Sequence, residues 1–141
     1  MFYGINFKEL PDGSVEVSCP DIPECVFVSD NKATASEELA HLVPGCLHIF
    51  YRKKGEPFPL PKSTDCDGYV HIPVKVQAKM LFWNFLKENR ITLREVAKRL
   101  DCADMQAQRL VDITKDNASI DAVERAFMAF GQTMNLTLGT K

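Results

Sequence analysis

A chain of 141 residues, 45% hydrophobic and 26% charged, has the composition of an ordinary globular protein, with room for one domain or two small ones. No apolar run approaches the roughly 20 residues of a membrane span, and the opening MFYGINFKEL lacks the basic and apolar regions of a secretory signal. Five cysteines without such a signal point to free thiols in a reducing cytoplasm. The net charge of −2 conceals an asymmetry. Residues 1–74 carry 6 Lys/Arg against 11 Asp/Glu, a balance of −5, whereas residues 75–141 carry 11 against 8, a balance of +3. An acidic front and a basic back imply two modules with different partners. At about 70 residues each, a single core is marginal and oligomerisation is a common remedy.

In chain order, FYGINFKEL reads as a strand and PDG as a hairpin turn. In SVEVSC, Val15, Val17 and Cys19 alternate with polar residues, the pattern of a half-buried strand. PDIPE is a proline-bounded loop and CVFVS a third strand. A helix follows from Asn31 or Thr34, with a capping-type Thr or Ser ahead of Glu37 and Glu38, which favour a positive helix start. Leu39, Leu42, Leu47 and Phe50 are its inward residues. Pro44-Gly45 predicts a kink or a division into two helices, because proline removes a backbone donor and crowds the preceding turn. GEPFPLPKSTDCDG is a surface connector, and YVHI a fourth strand ended by Pro73. The expected fold class is α+β: a small β-β-β-α-β domain over residues 1–73, followed by an all-α domain over 74–141 that ends in a strand.

In the second half, VKVQAKMLFWNFLKENR is a helix apolar around much of its circumference, to be buried by a neighbour or a second subunit. Thr92 and Glu95 form a capping box for the next helix, whose inner face is Leu93, Val96, Ala97 and Leu100. Asp101-Cys102 is a tight turn, and a further helix runs from about Ala103 to Asp112. Ile120, Val123, Phe127 and Phe130 mark a last helix stopped by Gly131. In TMNLTL, Met134, Leu136 and Leu138 alternate as a terminal strand with no partner in its own half, predicting a homodimer paired across its symmetry axis.

Residues 91–113 have the parts a helix-turn-helix needs: a cap, the small residue Ala97 where two helices approach, a turn, and a second helix with polar residues outside. Asp104, Met105, Gln106, Gln108 and Arg109 lie opposite Ala107 and Leu110 and are the candidate base readers. Glutamine pairs with adenine, arginine with guanine, an acidic group with the cytosine amine, and methionine with a thymine methyl. Lys98, Arg99 and Lys115 flank them as candidate phosphate contacts, and Thr92 is a further candidate DNA contact. Residues 76–138 resemble the phage-repressor (Xre-type) helix-turn-helix, with Val96 for the usual leucine, Asp101 for the turn glycine and Ala107 for the β-branched residue.

The front half is similar to the N-terminal domain of HicB antitoxins. The matching features are the P-D-G hairpin, the loop Ser18, Pro20, Asp21, Ile22, Pro23, Glu24, the paired glutamates, and the P-L-P connector before the last strand. Together the two likenesses cover nearly the whole chain in order, apart from Cys25 where many members place glycine, and Pro44-Gly45. The resemblance implies a truncated RNase H-like fold that acts as an inhibitor. The implied partner is a HicA-like toxin, a small basic mRNA-cleaving ribonuclease, held in a larger hetero-oligomer. The C-terminal domain is implied to bind operator double-stranded DNA as a dimer and repress the operon. Asp21, Glu24, Glu37 and Glu38 are the candidate toxin contacts by charge and position.

Enzymatic chemistry is not expected. Asp12, Asp21 and Glu24 lie in turns, with no spacing that makes them converge on a metal. Cys46 with His48, and Cys66 with His71, lack an orienting third group, and zinc-type C-x-x-C spacing is absent. No cofactor or metal is expected. The competing reading is a stand-alone phage-type repressor whose acidic front senses a ligand or recruits another protein.

Overall fold

The computed structural model describes residues 1–139; the chain divides into two compact units, one of Met1–Gln77 and one that begins at Ala78. The division lies inside the first turn of a helix, after Gln77, where the sequence pointed to a boundary after Pro73.

In the first unit, strands β1 (Phe2–Glu9), β2 (Val15–Cys19), β3 (Ile22–Ser29) and β4 (Gly68–His71) form an antiparallel sheet in the order β3-β2-β1-β4. One helix, α1 (Lys32–Leu47), packs on it. Alternation decides which face α1 covers. Tyr3, Ile5, Val15, Val17 and Cys19 are buried on the covered face, and α1 buries Ala35, Leu39, Val43 and Leu47, a helix stripe at a spacing of four. The opposite face leaves Val26 and Val28 of edge strand β3 49% and 56% exposed.

Several elements differ from expectation. Strand β3 begins at Ile22, so Pro20-Asp21 alone make the turn, and a bulge shifts the register between Ser18 and Cys19. Pro23 is tolerated because β3 is an edge, where a missing donor costs no ladder bond. The helix α1 is capped by Asn31, whose side chain accepts from the Ala33 N–H at 2.8 Å, so no acidic residue lies in its first turn. Glu37 and Glu38 therefore do not serve the helix dipole. Leu42, expected inward, is 44% exposed, and Val43 takes the inner position. Helix α1 continues through Pro44, and the disturbance emerges one turn later as a π-helical turn, His48–Arg52, closed by Lys53 N–H to His48 C=O at 2.9 Å.

The connector lies close against the sheet. The Tyr3 hydroxyl donates to the Pro59 carbonyl, and burial, with nearby negative charge, pushes that phenol far up. Further along, Cys66 lies over Gly4: a Cβ at residue 4 would sit 2.3 Å from the Cys66 Sγ and 3.0 Å from its Cβ. Gly4→Ala is therefore expected to cost about 1–3 kcal/mol as overpacking. A lower urea midpoint, partly restored by adding Cys66→Ala, would show it; an unchanged midpoint would dismiss it.

The second unit continues α2 (Val74–Glu88) and adds α3 (Leu93–Leu100), α4 (Asp104–Arg109) and α5 (Ile120–Ala129). Phe82 packs edge-on against Phe127 at 4.9 Å, and Trp83 and Leu86 are also buried, so much of the apolar surface of α2 is internal. Helix α4 is six residues long, shorter than expected. Helix α5 opens on Ser119, whose Oγ accepts from the Ala122 N–H at 3.1 Å, and closes on Gly131 at φ 75°, with Gln132 N–H to Phe127 C=O at 3.0 Å. Residues 133–139 belong to no helix or strand. The expected terminal strand is thus not formed within the single chain. A strand exists only by pairing, and Leu136 and Leu138 stand 78% and 101% exposed.

Candidate functional site

Helices α3 and α4 meet at a turn built as the sequence requires. Thr92 Oγ1 accepts from the Glu95 N–H and donates to the Glu95 carboxylate, each at 3.2 Å, which satisfies a donor at the start of α3. Asp101 takes the left-handed conformation at φ 51°, ψ 53°, and the following Cys102 N–H closes on Ala97 C=O at 2.9 Å. Aspartate tolerates that region better than most residues, which is why a non-glycine can stand here. Ala97 and Ala107 are buried, and with no larger side chain between them the helices approach closely.

The nine candidate DNA contacts meet different fates. Lys98, Asp104, Met105, Gln108, Arg109 and Lys115 are exposed, Met105 at 64%, and the Arg109 guanidinium rests 3.7 Å from the Met105 sulfur. Thr92 is spent on its cap. Gln106 folds back, its Oε1 accepting the Ala103 N–H at 3.1 Å, so its amide satisfies a donor at the start of α4. Arg99 donates to the Ala129 carbonyl at 3.0 Å and lies 4.9 Å over the Phe130 ring, where it satisfies the end of α5.

Two residues in this unit escaped sequence reasoning. Lys79 is 1% exposed, and its ammonium donates to Asp112 C=O at 2.8 Å, Lys115 C=O at 3.0 Å and Asn117 Oδ1 at 3.1 Å. It fastens the segment that follows α4. Its one sequence signal is a lone lysine between Ala78 and Met80 in an otherwise apolar stretch. Arg125, on α5, faces a cleft together with Arg109.

In the first unit, most of the acidic candidates are engaged by the fold itself. Asp21 Oδ2 accepts from the Lys62 and Ser63 N–H groups at 2.9 Å each, and Oδ1 from the Ser63 hydroxyl at 3.0 Å. Partial burial works to raise its pKa, but these bonds and the Lys62 charge outweigh it and hold the carboxyl below the usual range. Glu24 accepts from the Tyr51 hydroxyl at 2.9 and 2.8 Å; burial, then this carboxylate, push the phenol up to about 12. Glu38 accepts from Thr34 at 2.9 Å and Ser29 at 3.2 Å. Glu37 is exposed, with no hydrogen bond or ion pair among the described residues. Among those residues no group of three His, Cys, Asp or Glu side chains is placed to hold a metal, and no helix is long and apolar enough to cross a membrane.

The chain thus joins a helix-backed sheet unit to a helical unit that carries an exposed polar helix. No family model matches the chain. Individual relatives do: the chain is 29% identical to Antitoxin HicB of Escherichia coli strain K12, over 98% of this chain and 99% of that protein. It is 28% identical to Antitoxin HicB 1 of Photorhabdus laumondii over 98% and 87% of the two chains, and 29% identical to Antitoxin HicB of Pseudomonas fluorescens over 96% and 92%. The likeness runs from end to end and spans both units.

Proposed function

We propose that this chain is a HicB-family antitoxin that neutralises a HicA-like ribonuclease by binding it through residues 1–73, and represses its own operon by binding operator DNA as a dimer through residues 74–141. The observation that carries the proposal is the end-to-end likeness to proteins named as antitoxins, which spans the acidic and basic halves together. The acidic unit suits a basic partner, since opposite charge steers encounter. Its four-stranded sheet with one covering helix supports the truncated RNase H-like reading. The exposed edge strand β3, with Val26 and Val28, offers apolar contact, and Glu37 a carboxylate not engaged in the fold. In the basic unit, α3, its turn and α4 serve as the helix-turn-helix, with Met105, Gln108 and Arg109 reading bases and Lys98 and Lys115 on phosphates. Met134, Leu136 and Leu138 pair with their symmetry mates. The protein acts in the cytoplasm by binding, without catalysis or cofactor.

A tagged chain captured from its native host after nuclease treatment, with its companions identified by mass spectrometry, tests this. A stoichiometric small basic protein that cleaves RNA when freed is the expected result. A self-associated chain without such a companion would favour a stand-alone repressor.

A further inference from the structure

A cleft of about 470 Å³ opens in the helical unit between the end of α3, the flank of α4 and the start of α5. That volume is in the range of small-ligand sites. Leu100 and Leu110 supply apolar lining, and Gln106, Arg109, Asn117 and Arg125 supply polar lining.

The hydrogen-bonding sense of these four polar groups follows from what already holds them. The Ala103 N–H can only donate, so Gln106 must give it the amide oxygen, at 3.1 Å, and is left with its NH₂. The Lys79 ammonium can only donate, so Asn117 must likewise give it Oδ1, at 3.1 Å, and is left with its NH₂. The Arg109 guanidinium has only the weak sulfur contact at 3.7 Å, and Arg125 has no hydrogen bond or ion pair among the described residues. The lining therefore offers two guanidinium and two amide NH₂ groups and no carboxylate. A set of donors whose own acceptors are consumed inside the fold suits an acceptor-rich, negatively charged ligand, and guanidinium forks match phosphate and carboxylate oxygens in pairs.

We propose that this cleft is an oxyanion site, taking a phosphate or similar group between Arg109 and Arg125 with the Gln106 and Asn117 amides as further donors. The group has two sources: a backbone phosphate of DNA lying along α4, or a small free anion acting as an effector beside the same helix. The oxyanion site stands on the cleft itself; only its coupling to DNA rests on the operator-binding reading above.

The test uses the full chain, isotopically labelled, titrated with inorganic pyrophosphate at constant ionic strength while the side-chain NH₂ resonances of Gln106 and Asn117 are followed. Saturable shifts at both, with affinity at least about tenfold weaker in Arg125→Ala, are expected when the free anion binds. Arg125 is exposed, and the same spectrum reports whether the variant is folded. In a second arm, operator binding is measured against salt. Competition by pyrophosphate, with a log–log salt slope smaller by about one in Arg125→Ala, would identify the occupant as a DNA phosphate. Saturable pyrophosphate binding without effect on DNA affinity would identify a free anion. The absence of both a saturable shift and a change in slope would overturn the site. If the chain binds no DNA at all, the first arm alone decides, so failure of the operator reading and failure of this one remain distinct.

Discussion

Lys79→Met is expected to unfold the helical unit at urea concentrations the parent chain withstands. Methionine keeps the apolar stem and most of the length but removes the donors that hold Asp112 C=O, Lys115 C=O and Asn117 Oδ1. Hydrogen bonds from a charged donor contribute more than neutral ones, and breaking such a buried set costs on the order of 3–5 kcal/mol. Small units hold only about 0.05–0.15 kcal/mol per residue in reserve, so for Ala78–Lys141 a loss of that size is comparable with the whole stability. The chain has one tryptophan, Trp83, 5% exposed in the same unit, and its fluorescence reports the transition directly. An unchanged midpoint in the variant would mean that the three contacts contribute little, and that the segment after α4 is held by other means.

The second large effect concerns the exposed side of α4. Gln108→Ala combined with Arg109→Ala is expected to weaken operator binding by about 100-fold or more, since each good base pairing contributes roughly 1–3 kcal/mol of discrimination. Toxin neutralisation should persist, because both residues lie in the unit beginning at Ala78. Gln106, an equally attractive reader by type, is the wrong residue for this experiment. Its amide oxygen caps Ala103, so replacing it would loosen α4 by about 1 kcal/mol and confound a lost contact with a frayed helix. Fluorescence anisotropy on an operator duplex, alongside an inhibition assay, separates the two functions. Retained operator affinity would remove α4 from the interface; loss of both activities in a folded variant would contradict the division of labour.

How much of this was legible in the sequence depends on how local the cause was. Thr92 with Glu95 could be read as a cap because their chemistry acts within one turn, and the structure keeps them so. The β1, β2 and β4 strands followed from alternation and turn residues. The start of α1 was harder, since Asn31 and Thr34 are both capping types and only the Asn31–Ala33 bond decides between them. Pro44 argued for a break, yet the helix runs on and the irregularity surfaces at His48–Arg52. Contacts between distant residues had no local trace. Nothing near Arg99 indicates that it will close α5 at Ala129, nor near Asp21 that it will hold Lys62 and Ser63. Charge type identified these as surface residues, and tertiary geometry then gave several of them structural work.

The central claim, that this chain silences a ribonuclease, is tested most directly by titration. The companion protein, stripped from the antitoxin under denaturing conditions and refolded, is given a defined mRNA, and cleavage is measured as the full chain is added back. Cleavage that falls to background near a stoichiometric ratio is the expected result, and it should fall equally with the Gln108→Ala, Arg109→Ala variant. Cleavage that continues at excess antitoxin, with the complex demonstrably formed, would contradict the account.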